Sequence, residues 1–337
     1  MPSPEIPLSL RILKKACQKN GYKWELADNY SNNLVKISNK QKCFFASNSK
    51  IGAYPLNSNS AQLVNDKAWT YKILQQNNYN IPQGDYFFLK KEYRELRGDH
   101  KERKDALKYA NKLGYPIFIK PNNSSLGLLA EIIYSEQELT KHLEKISEID
   151  HIALIQEYLQ YPEYRIFVVD GEVKFTYKRN SPFIIGNGKN TIKELIEQVN
   201  LQIKREKNKV ILSSPFIQKQ FEKLKLSWKH ILKKGQKFQI MSKTNISAGG
   251  KLTNYTEKIS EQTKNWVHKL TNFLQLRICG IDVFVKDSIN NPESFIIIEI
   301  NQNPNLSGIY EAGYQKKALE IWKEVLDKYF KEPLINS

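Results

Sequence analysis

Two apolar segments near the carboxyl end of the chain, each carrying one acidic residue, constrain the fold more than any other feature. GIDVFVK (280–286) and FIIIEIN (295–301) are rich in β-branched and aromatic residues and have the length of strands. The linker between them, DSINNPES, contains Asp, Ser, Asn and Pro, which favour turns. The pattern therefore predicts an antiparallel hairpin with one carboxylate on each strand.

The register of this hairpin decides whether the two carboxylates meet. If Lys286 pairs with Phe295, Asp282 lies directly opposite Glu299, with Cβ atoms about 4.5–5.5 Å apart. Two carboxylates among apolar neighbours repel each other unless a cation or a proton lies between them. Asn301 follows on the face of Glu299, and oxygen ligands of this kind suit Mg²⁺ that is held jointly with phosphate groups. We predict a metal site at these residues.

A shared proton, or a salt bridge to a basic residue such as Arg277, is the alternative explanation for the paired carboxylates. The Glu-x-Asn spacing that begins at Glu299, followed by Asn-Pro-Asn and a loop with glycine, favours the metal. Strand alternation also predicts that Ile297 shares the face of Glu299.

The chain is strongly basic, with a formal net charge of +17 and a pI near 9.5. One hypothesis is a nucleic-acid-binding protein. The other is a Lys- and Asn-rich composition whose surface attracts anionic ligands. The sequence suggests that charge is spread along the whole chain, with a local excess in KKEYRELRGDHKERK (90–104). We favour the second hypothesis and do not expect a nucleic-acid partner.

Composition and the amino-terminal segment also indicate in which cellular compartment the protein is expected. No eighteen consecutive apolar residues occur and the mean hydropathy is -0.55, so we expect no membrane span. The start MPSPEIPLSL lacks the basic, apolar and small-residue regions of a signal peptide. The three cysteines are far apart, which predicts neither a disulfide framework nor a zinc site and favours a reduced, cytoplasmic setting. They are Cys17, Cys43 and Cys279.

Helix and strand signals alternate irregularly, which predicts an α+β fold rather than a steady βαβ repeat. We expect a helix over 8–20 and two strands within 33–47. The segment 165–179 predicts a hairpin that turns at its Asp-Gly pair, and a long basic helical region is predicted over about 200–234. An amphipathic helix is expected over 260–276.

Three side chains are predicted to cap helices. Asp66 precedes a helical segment, whereas Ser135 with Glu138 and Thr191 with Glu194 have the spacing of capping boxes.

We divide the chain into a small N-terminal region with helix and strands (1–65), a middle segment (66–160) and a carboxyl-terminal segment with the metal site (161–330). The sequence contains no Walker A motif and no Gly-x-Ser-x-Gly nucleophile elbow, and its five histidines show no metal-binding spacing.

Several motifs resemble those of ATP-grasp enzymes over residues 66–310. GIDVFVK…FIIIEINQNPNLSG is similar to the metal-binding end of that family, and GYPIFIKPNNSSLGLLAEI is similar to its nucleotide lysine and flexible phosphate loop. IQEYLQYPEYRIFVVDGEV resembles the adenine hinge and ribose-binding segment, and VNDKAWTYKILQQNNYNIPQG resembles the opening helix.

A narrower resemblance connects the chain with particular ATP-grasp ligases. YRIFVVDGEVKFTYKR…IIGNGKNTIKELIEQVN and TNISAGGKLTNYT resemble the ATP-grasp module of cyanophycin synthetase and of bifunctional glutathione-synthesising enzymes. SSLG is similar to a segment of D-alanine–D-alanine ligases. Asn187 stands where the pattern usually has Asp.

This resemblance implies an ATP-grasp fold, in which two α+β subdomains clasp ATP: 66–160 would be the central subdomain and 161–330 the carboxyl-terminal one. It implies ATP and Mg²⁺ as cofactors, with Mn²⁺ as an alternative ion, and amino acids or peptides as small-molecule substrates. A homodimer is one assembly that the resemblance allows.

The resemblance also assigns roles to individual residues. Contacts with the nucleotide are implied for Lys67, Lys120, Ser124, Ser125, Gly127, Gln156, Glu157, Tyr158, Leu159 and Glu163. Catalytic roles near the transferred phosphate or the acceptor are implied for Arg165, Arg179, Asn245, Gly249 and Gly250. The metal ligands are Asp282, Glu299 and Asn301. The alternatives are solvated surface lysines, ordinary turns, and a pairing of Arg165 with Glu163.

Three function classes follow. The first, which we favour, is a ligase that forms an amide from a carboxylate and an amine through an acyl-phosphate. The second is an ATP-grasp enzyme that modifies a ribosomal peptide or an acidic polypeptide, with the basic stretch 200–234 guiding the acidic chain. The third is a non-catalytic basic protein that binds nucleic acid.

Overall fold

The chain folds into two compact units. Met1–Thr176 together with Tyr255–Ser337 forms the first unit, and Tyr177–Asn254 forms the second. The computed structural model describes residues 6–27, 32, 34–47, 54–57, 60–90, 101–125, 127–180, 182–202, 210, 212, 215–240 and 251–331. Among these residues, no helix combines the length and the apolar character needed to cross a bilayer.

The amino-terminal region contains one helix and a small antiparallel sheet of order β1-β2-β3. The elements are α1 (Leu8–Lys19), β1 (Lys23–Leu26), β2 (Leu34–Ser38) and β3 (Cys43–Ser47). The predicted helix and the two later strands are confirmed, whereas β1 was not predicted. Leu10, Leu13 and Cys17 of α1 are buried at helical spacing, and Tyr22 stacks on Phe330 with ring centroids 4.5 Å apart.

A four-stranded sheet of order β4-β7-β5-β6 follows in the first unit. The elements are α2 (Ser60–Asn65), α3 (Lys67–Gln76), β4 (Gly84–Phe88), α4 (Arg103–Leu113), β5 (Ile117–Pro121), β6 (Glu131–Ile133), α5 (Glu136–Ile149) and β7 (Ile152–Glu157). Apolar residues of α4 and α5 pack with Ile117 and Ile119 in one core. Ala68 and Tyr71 of α3 pack with Leu154 in another. Alternation along β5 therefore turns Lys120 away from the first core.

Two of the predicted caps fix the starts of helices in this region. The Asp66 carboxylate accepts a hydrogen bond from the Trp69 N–H at 2.9 Å, so α3 begins at the next residue after Asp66. The Ser135 hydroxyl accepts from the Glu138 N–H at 3.2 Å, as predicted. The Glu138 carboxylate, however, accepts from the Tyr134 N–H at 2.9 Å, one residue before the position that a capping box uses.

The predicted hairpin is confirmed as β8 (Glu163–Val169) and β9 (Glu172–Asn180). Asp170 and Gly171 form its turn with φ values of 48° and 74°. A two-residue turn with positive φ at both positions matches the twist of the strands, and Asp-Gly adopts it readily.

The second unit has an apolar core of its own. Its elements after the end of β9 are β10 (Phe183–Ile185), α6 (Ile192–Gln202), α7 (Pro215–Leu224), β11 (Lys237–Gln239) and β12 (Lys251–Asn254). Ile196, Leu232 and Phe238 are buried together in this core. The predicted capping box is confirmed, because the Thr191 N–H donates to Glu194 Oε2 at 2.8 Å and the Glu194 N–H donates to Thr191 Oγ1 at 3.3 Å.

The predicted long helical region over 200–234 is wrong beyond Leu224, where α7 ends. Lys225 has a φ of 53°, and the Leu226 N–H donates back to the Phe221 carbonyl at 2.9 Å. This is a Schellman-type helix end with Lys in the left-handed position that glycine usually occupies. The sequence carries no glycine there to mark the stop. Residues 203–209 of that prediction lie outside the described part of the chain.

The carboxyl-terminal part of the first unit completes a sheet in which β9, β8, β13 and β14 lie side by side. The elements are α8 (Glu261–Phe273), β13 (Ile278–Val285), β14 (Phe295–Asn301), α9 (Ser307–Glu311) and α10 (Gln315–Lys331). Val267 and Leu270 of the predicted amphipathic helix pack against Ile281 and Val283 of the sheet. Phe273 of that helix, in contrast, is 41% exposed.

The hairpin of β13 and β14 has the predicted pair of carboxylates, but its register is interrupted, which was not predicted. Asp282 is paired with Glu299, as expected, but a β-bulge follows and Val285 rather than Lys286 pairs with Phe295. Ile298 is the extra residue, so the strand changes phase there. The predicted shared face of Ile297 and Glu299 is therefore wrong, since Ile297 lies in the apolar core.

Candidate nucleotide and metal site

Lys67 joins three separate segments of the first unit. It is the first residue of α3, and its ammonium group lies 3.4 Å from Glu299 Oε1. It also donates hydrogen bonds to the backbone carbonyls of Asn122 at 3.2 Å and Ser124 at 2.7 Å. The Lys67 side chain is 11% exposed, so this charge is largely enclosed by the groups that it contacts.

Lys120 approaches the same region from β5. Its ammonium group donates to the Ile298 carbonyl at 3.1 Å, the carbonyl of the bulge residue. Burial lowers the pKa of Lys120 to about 8, against the opposing attraction of Glu299, and Lys67 lowers it further whereas Asp282 raises it. An anion bound beside Lys120 would therefore raise this pKa and favour the charged form of the side chain.

These lysines border one narrow cavity in the first unit, which lies between the sheet with β5 and β7 and the sheet with β14. Its lining includes Lys67, Lys120, Leu154, Gln156, Ile298 and Glu299. The structure therefore brings together three predicted nucleotide contacts and one predicted metal ligand.

Asp282 is paired with the cavity residue Glu299 and is oriented by Arg165. The two residues are directly opposite on β13 and β8, and Arg165 Nε donates to Asp282 Oδ1 at 2.6 Å while Nη2 donates to Oδ2. The Asp282 side chain is 4% exposed. Asn301 Nδ2 donates to Oδ2 of the same carboxylate at 3.3 Å. A two-pronged charge-assisted contact of this kind balances the buried negative charge.

Both arginines named in the alternative explanations contact carboxylates. Arg165 pairs with Asp282 across the sheet. Arg277 pairs with Asp170, with Nε and Oδ1 2.7 Å apart. Arginine therefore does neutralise one carboxylate of the pair, but it comes from an adjacent strand.

The small-residue loop that follows β5 lies beside the lysines. The Ser124 carbonyl accepts from Lys67, and the Ser125 carbonyl accepts from the Leu128 N–H at 3.1 Å. Gly127 has a φ of 69°, a conformation that glycine adopts without the steric cost of a Cβ. The ammonium group of Lys67 thus anchors the first part of this loop through the Ser124 carbonyl.

The end of β7 carries the residues predicted to contact adenine. Gln156 is buried and lines the cavity. The Glu157 carboxylate accepts from the Gln83 N–H at 2.7 Å, and its own N–H donates to the Gln83 carbonyl at 2.8 Å. Glu157 thus holds the backbone of Gln83 just before β4, a contact that the sequence did not predict.

The connection from β7 to β8 carries the other predicted contacts. The Tyr158 hydroxyl accepts from Gln160 Nε2 at 2.7 Å, and Leu159 is half-buried. Glu163 is the first residue of β8 and pairs in register with Phe284.

The remaining predicted residues belong to the second unit. Arg179 is buried on β9 opposite Leu252 of β12. Asn245, Gly249 and Gly250 lie outside the described residues.

Sequence reasoning missed Asn122, which is completely buried at the end of β5. Its Oδ1 accepts from the Ala68 N–H at 2.7 Å, and its carbonyl accepts from Lys67. Asn122 therefore ties the first turn of α3 to the loop with the small residues. An Asn after Lys-Pro carries no local signal for such a contact, since its partner lies 54 residues earlier.

Two family models match parts of the chain. The D-ala D-ala ligase C-terminus matches residues 75–183, and the RimK-like ATP-grasp domain matches residues 230–324. The second match includes both acidic strands of the site. The chain belongs to the ATP-grasp superfamily.

Curated relatives of this ATP-grasp chain are named glutathione biosynthesis bifunctional protein GshAB. The protein of Clostridium perfringens is 28% identical over 97% of this chain and 41% of its own length. That of Enterococcus faecalis is 28% identical over 72% of this chain and 32% of its own length. The chain therefore spans less than half the length of these relatives.

A solved structure extends the likeness to the fold. The crystal structure of a bifunctional glutathione synthetase from Pasteurella multocida matches with a TM-score of 0.59 and 22% identity, over 98% of this chain and 45% of that one. The mixed helix and sheet architecture of the chain is thus that of an ATP-grasp fold.

The donor set around Asp282 fits Mg²⁺. Asp282, Glu299 and Asn301 offer carboxylate and amide oxygens, the ligands of a hard cation. Among the described residues, no three His, Cys, Asp or Glu side chains cluster as a metal site. A cation bound by two carboxylates and one amide needs further oxygens, and phosphate groups supply such oxygens.

Proposed function

We propose that this ATP-grasp chain is an ATP-dependent ligase that joins a carboxylate to an amine through an acyl-phosphate and releases ADP and phosphate. The observation that carries this proposal is the convergence of Lys67, Lys120 and Glu299 on one cavity. Glu299 is also paired with Asp282 across the hairpin. Two ammonium groups beside two carboxylates suit a triphosphate that arrives with a divalent cation.

Glu299, Asp282 and Asn301 would hold the cation in this proposal. When bound, Mg²⁺ neutralises phosphate charge that develops during transfer. Arg165 acts as a positioning residue, because it orients the Asp282 carboxylate through two hydrogen bonds. The contact of Glu299 with Lys67 keeps that carboxylate from being an isolated charge.

Lys120 and Lys67 have different tasks in phosphate binding. Lys120 provides a buried positive charge, which acts on phosphate more strongly than a charge in water does. Lys67 holds the Ser124 backbone while its ammonium group faces Glu299. The loop at Ser125 and Gly127 then offers backbone N–H groups to the nucleotide.

The reaction has two steps. The substrate carboxylate attacks the γ-phosphate in line, forming the acyl–O–P bond as the bond to ADP breaks. The amine then attacks the acyl carbon, phosphate leaves and the amine proton is released. Arg179, Asn245, Gly249 and Gly250 are proposed to contact the transferred phosphate or the acceptor, and Gln156 to Glu163 to contact the nucleoside.

The proposed substrates are amino acids or short peptides. The names of the curated relatives, which describe glutathione biosynthesis, support this class. Screening ADP release with Mg²⁺–ATP across pairs of amino acids and dipeptides, with mass spectrometry of the products, tests the proposal. We expect ADP release that requires both substrates, together with a product lighter than their sum by one water. Absence of Mg²⁺–ATP binding would contradict the proposal.

Two other functions predict different results in the same screen. A peptide-modifying enzyme would release ADP only with a peptide or polypeptide. A non-catalytic nucleic-acid-binding protein would release no ADP and would bind nucleic acid in a salt-sensitive manner. The cavity with its paired lysines and carboxylates favours the ligase over this last function.

A further inference from the structure

The excess positive charge of the chain is concentrated in the second unit. Of the 52 Lys and Arg residues, 17 lie in 177–254, which contains only 4 of the 35 Asp and Glu residues. This unit therefore has a formal net charge of +13, out of +17 for the whole chain. Lys and Arg do occur along the whole chain, as expected, but outside 177–254 the other 31 Asp and Glu residues nearly balance the other 35 Lys and Arg residues.

Two segments that pack together carry much of this charge. Residues 182–193 and 225–240 contain seven lysines and no Asp or Glu. β10 pairs antiparallel with β11, and an isolated bridge joins Thr191 with Ile231. We call the shared surface of the two segments the lysine face. Its lysines are Lys189, Lys193, Lys225, Lys229, Lys233, Lys234 and Lys237.

Close backbone packing holds the two segments of the lysine face together. The Gly186 N–H donates to the Gln236 carbonyl at 2.8 Å, and the Gly188 N–H donates to the Leu232 carbonyl at 3.2 Å. A Cβ at Gly186 would lie 2.3 Å from the Lys233 carbonyl, so only glycine permits this approach. The Asn187 side chain closes the adjoining turn by accepting from the Lys189 N–H at 2.9 Å. The lysines therefore project from a fixed scaffold.

All seven lysines of the face are exposed. Within the described residues, Lys193 has a carboxylate partner, Glu197 at 3.8 Å, and the other six have none within salt-bridge distance. Lys237 lies over the Phe183 ring at 4.9 Å. A cluster of like charges repels itself and raises the local positive potential, which an anionic partner relieves.

We infer that the lysine face binds an acidic polypeptide, a flexible chain rich in Asp and Glu. The inference does not rest on the ligase activity, since it concerns binding by the second unit alone. Charge complementarity supplies most of the attraction, and its strength falls as salt rises.

The chemistry of the face favours carboxylates on a polypeptide over a nucleic acid. Its seven cations are all lysines, whose ammonium groups are point charges without the planar fork with which Arg recognises phosphate and bases. Bases of single strands stack on exposed aromatic rings. The large exposed apolar side chains on the described part of the face are aliphatic, Ile185 and Ile231 at 51% and 48% exposure, whereas Trp228 packs against Phe221. Apolar side chains of a peptide can cover such aliphatic groups.

Binding of fluorescent poly-L-glutamate without nucleotide tests the inference. The full chain is compared with a variant that carries Lys189→Gln, Lys229→Gln, Lys233→Gln and Lys234→Gln. These side chains are exposed and have no carboxylate partner among the described residues, so circular dichroism should show an unchanged fold. We expect binding of the variant to weaken by about tenfold or more, with a smaller salt dependence.

A matched control removes the same charge elsewhere. Lys108, Lys112, Lys141 and Lys145 are exposed on α4 and α5 of the first unit, and changing all four to Gln should alter poly-L-glutamate binding by less than about threefold. The inference is overturned if the control loses as much affinity as the face variant. It is also overturned if the unmodified chain does not bind poly-L-glutamate at physiological salt. A single-stranded oligouridylate of equal charge that binds as tightly through the same four lysines would assign the face to nucleic acid instead.

Discussion

Arg165 and Asp282 face each other across β8 and β13, and the guanidinium contacts both oxygens of the carboxylate. Because the Asp282 side chain is 4% exposed, removal of the arginine leaves a buried charge without its counterion. We predict that Arg165→Gln lowers the free energy of unfolding in EDTA by about 3 kcal/mol. Urea denaturation followed by fluorescence measures this loss.

Asp282→Asn provides the complementary test of this pair. The double variant with Arg165→Gln should lose less stability than the sum of the two single losses, because the two changes remove one interaction. Arg277→Gln, which breaks the more exposed pair with Asp170, serves as the control and should cost no more than about 1 kcal/mol. Equal losses for Arg165→Gln and Arg277→Gln would contradict the prediction.

Glu299 is predicted to be necessary for turnover but not for folding. Glu299→Gln removes the carboxylate beside Lys67, but the Asn122 and Ser124 carbonyls still accept hydrogen bonds from that ammonium group, so the fold should be retained. Loss of this metal-binding carboxylate should reduce ADP release by on the order of a hundredfold or more. Glu293→Gln, an exposed change six residues earlier, should leave ADP release nearly unchanged. Near-normal turnover of Glu299→Gln would remove Glu299 from the metal site.

Lys120 should make nucleotide binding depend on pH. Burial lowers the pKa of Lys120 to about 8, so the ligand-free protein loses this positive charge above that pH. Affinity for Mg²⁺–ATP should therefore fall between about pH 7 and pH 9, and binding near pH 8 should take up a proton. Isothermal titration calorimetry in buffers of different ionisation enthalpy measures that uptake. Unchanged proton uptake in Lys120→Met would exclude Lys120 as its source.

The lowered pKa of Lys120 also predicts how the stability of the folded protein depends on pH. Between the folded pKa of about 8 and the usual lysine value of 10.5, the unfolded chain binds more protons than the folded chain. Stability of the ligand-free protein thus gains from this residue as pH rises through that window. The stability of Lys120→Met relative to the unmodified chain should be greater at pH 7 than at pH 9.5. Chemical denaturation at both values tests this ordering.

Gly280 is predicted to tolerate no side chain. A Cβ at this position would lie 2.9 Å from Pro304 Cβ and 3.5 Å from Arg165 Nε. Gly280→Ala should therefore displace the neighbours of the Arg165 contact and cost about 1–3 kcal/mol. Thermal unfolding gives the loss. In combination with Pro304→Gly the loss should be smaller than the sum of the two single effects.

The paired carboxylates could be predicted from sequence because two strands with a turn-rich linker leave few registers. Asp282 and Glu299 are indeed opposite each other. The bulge could not be predicted, since a run of isoleucines on either side of Glu299 carries no information on phase. Partners distant in sequence were equally hidden: Arg165 is 117 residues from Asp282.

The second unit shows a different reason for failure. Helical periodicity continues past Leu224, but Lys225 adopts a left-handed conformation and the chain turns back. Lysine is rare in that position, so nothing in the residue type marks the helix end. The concentration of charge in 177–254 likewise becomes visible only when the unit is known.

The extra residue in β14 makes the length of this segment as important as its ligands. A substitution at Glu299 or Asn301 changes one oxygen donor. Deletion of Ile298 would instead turn the bulge into a regular ladder, in which Val283 stays opposite Ile297 and Asp282 stays opposite Glu299. Glu299 and Asn301 would keep their face, and Ile297 and Ile300 would stay in the apolar core. The carbonyl that accepts from Lys120 would be lost. Shortening by a single residue should thus spare the cation ligands and deprive the buried ammonium group of its backbone partner.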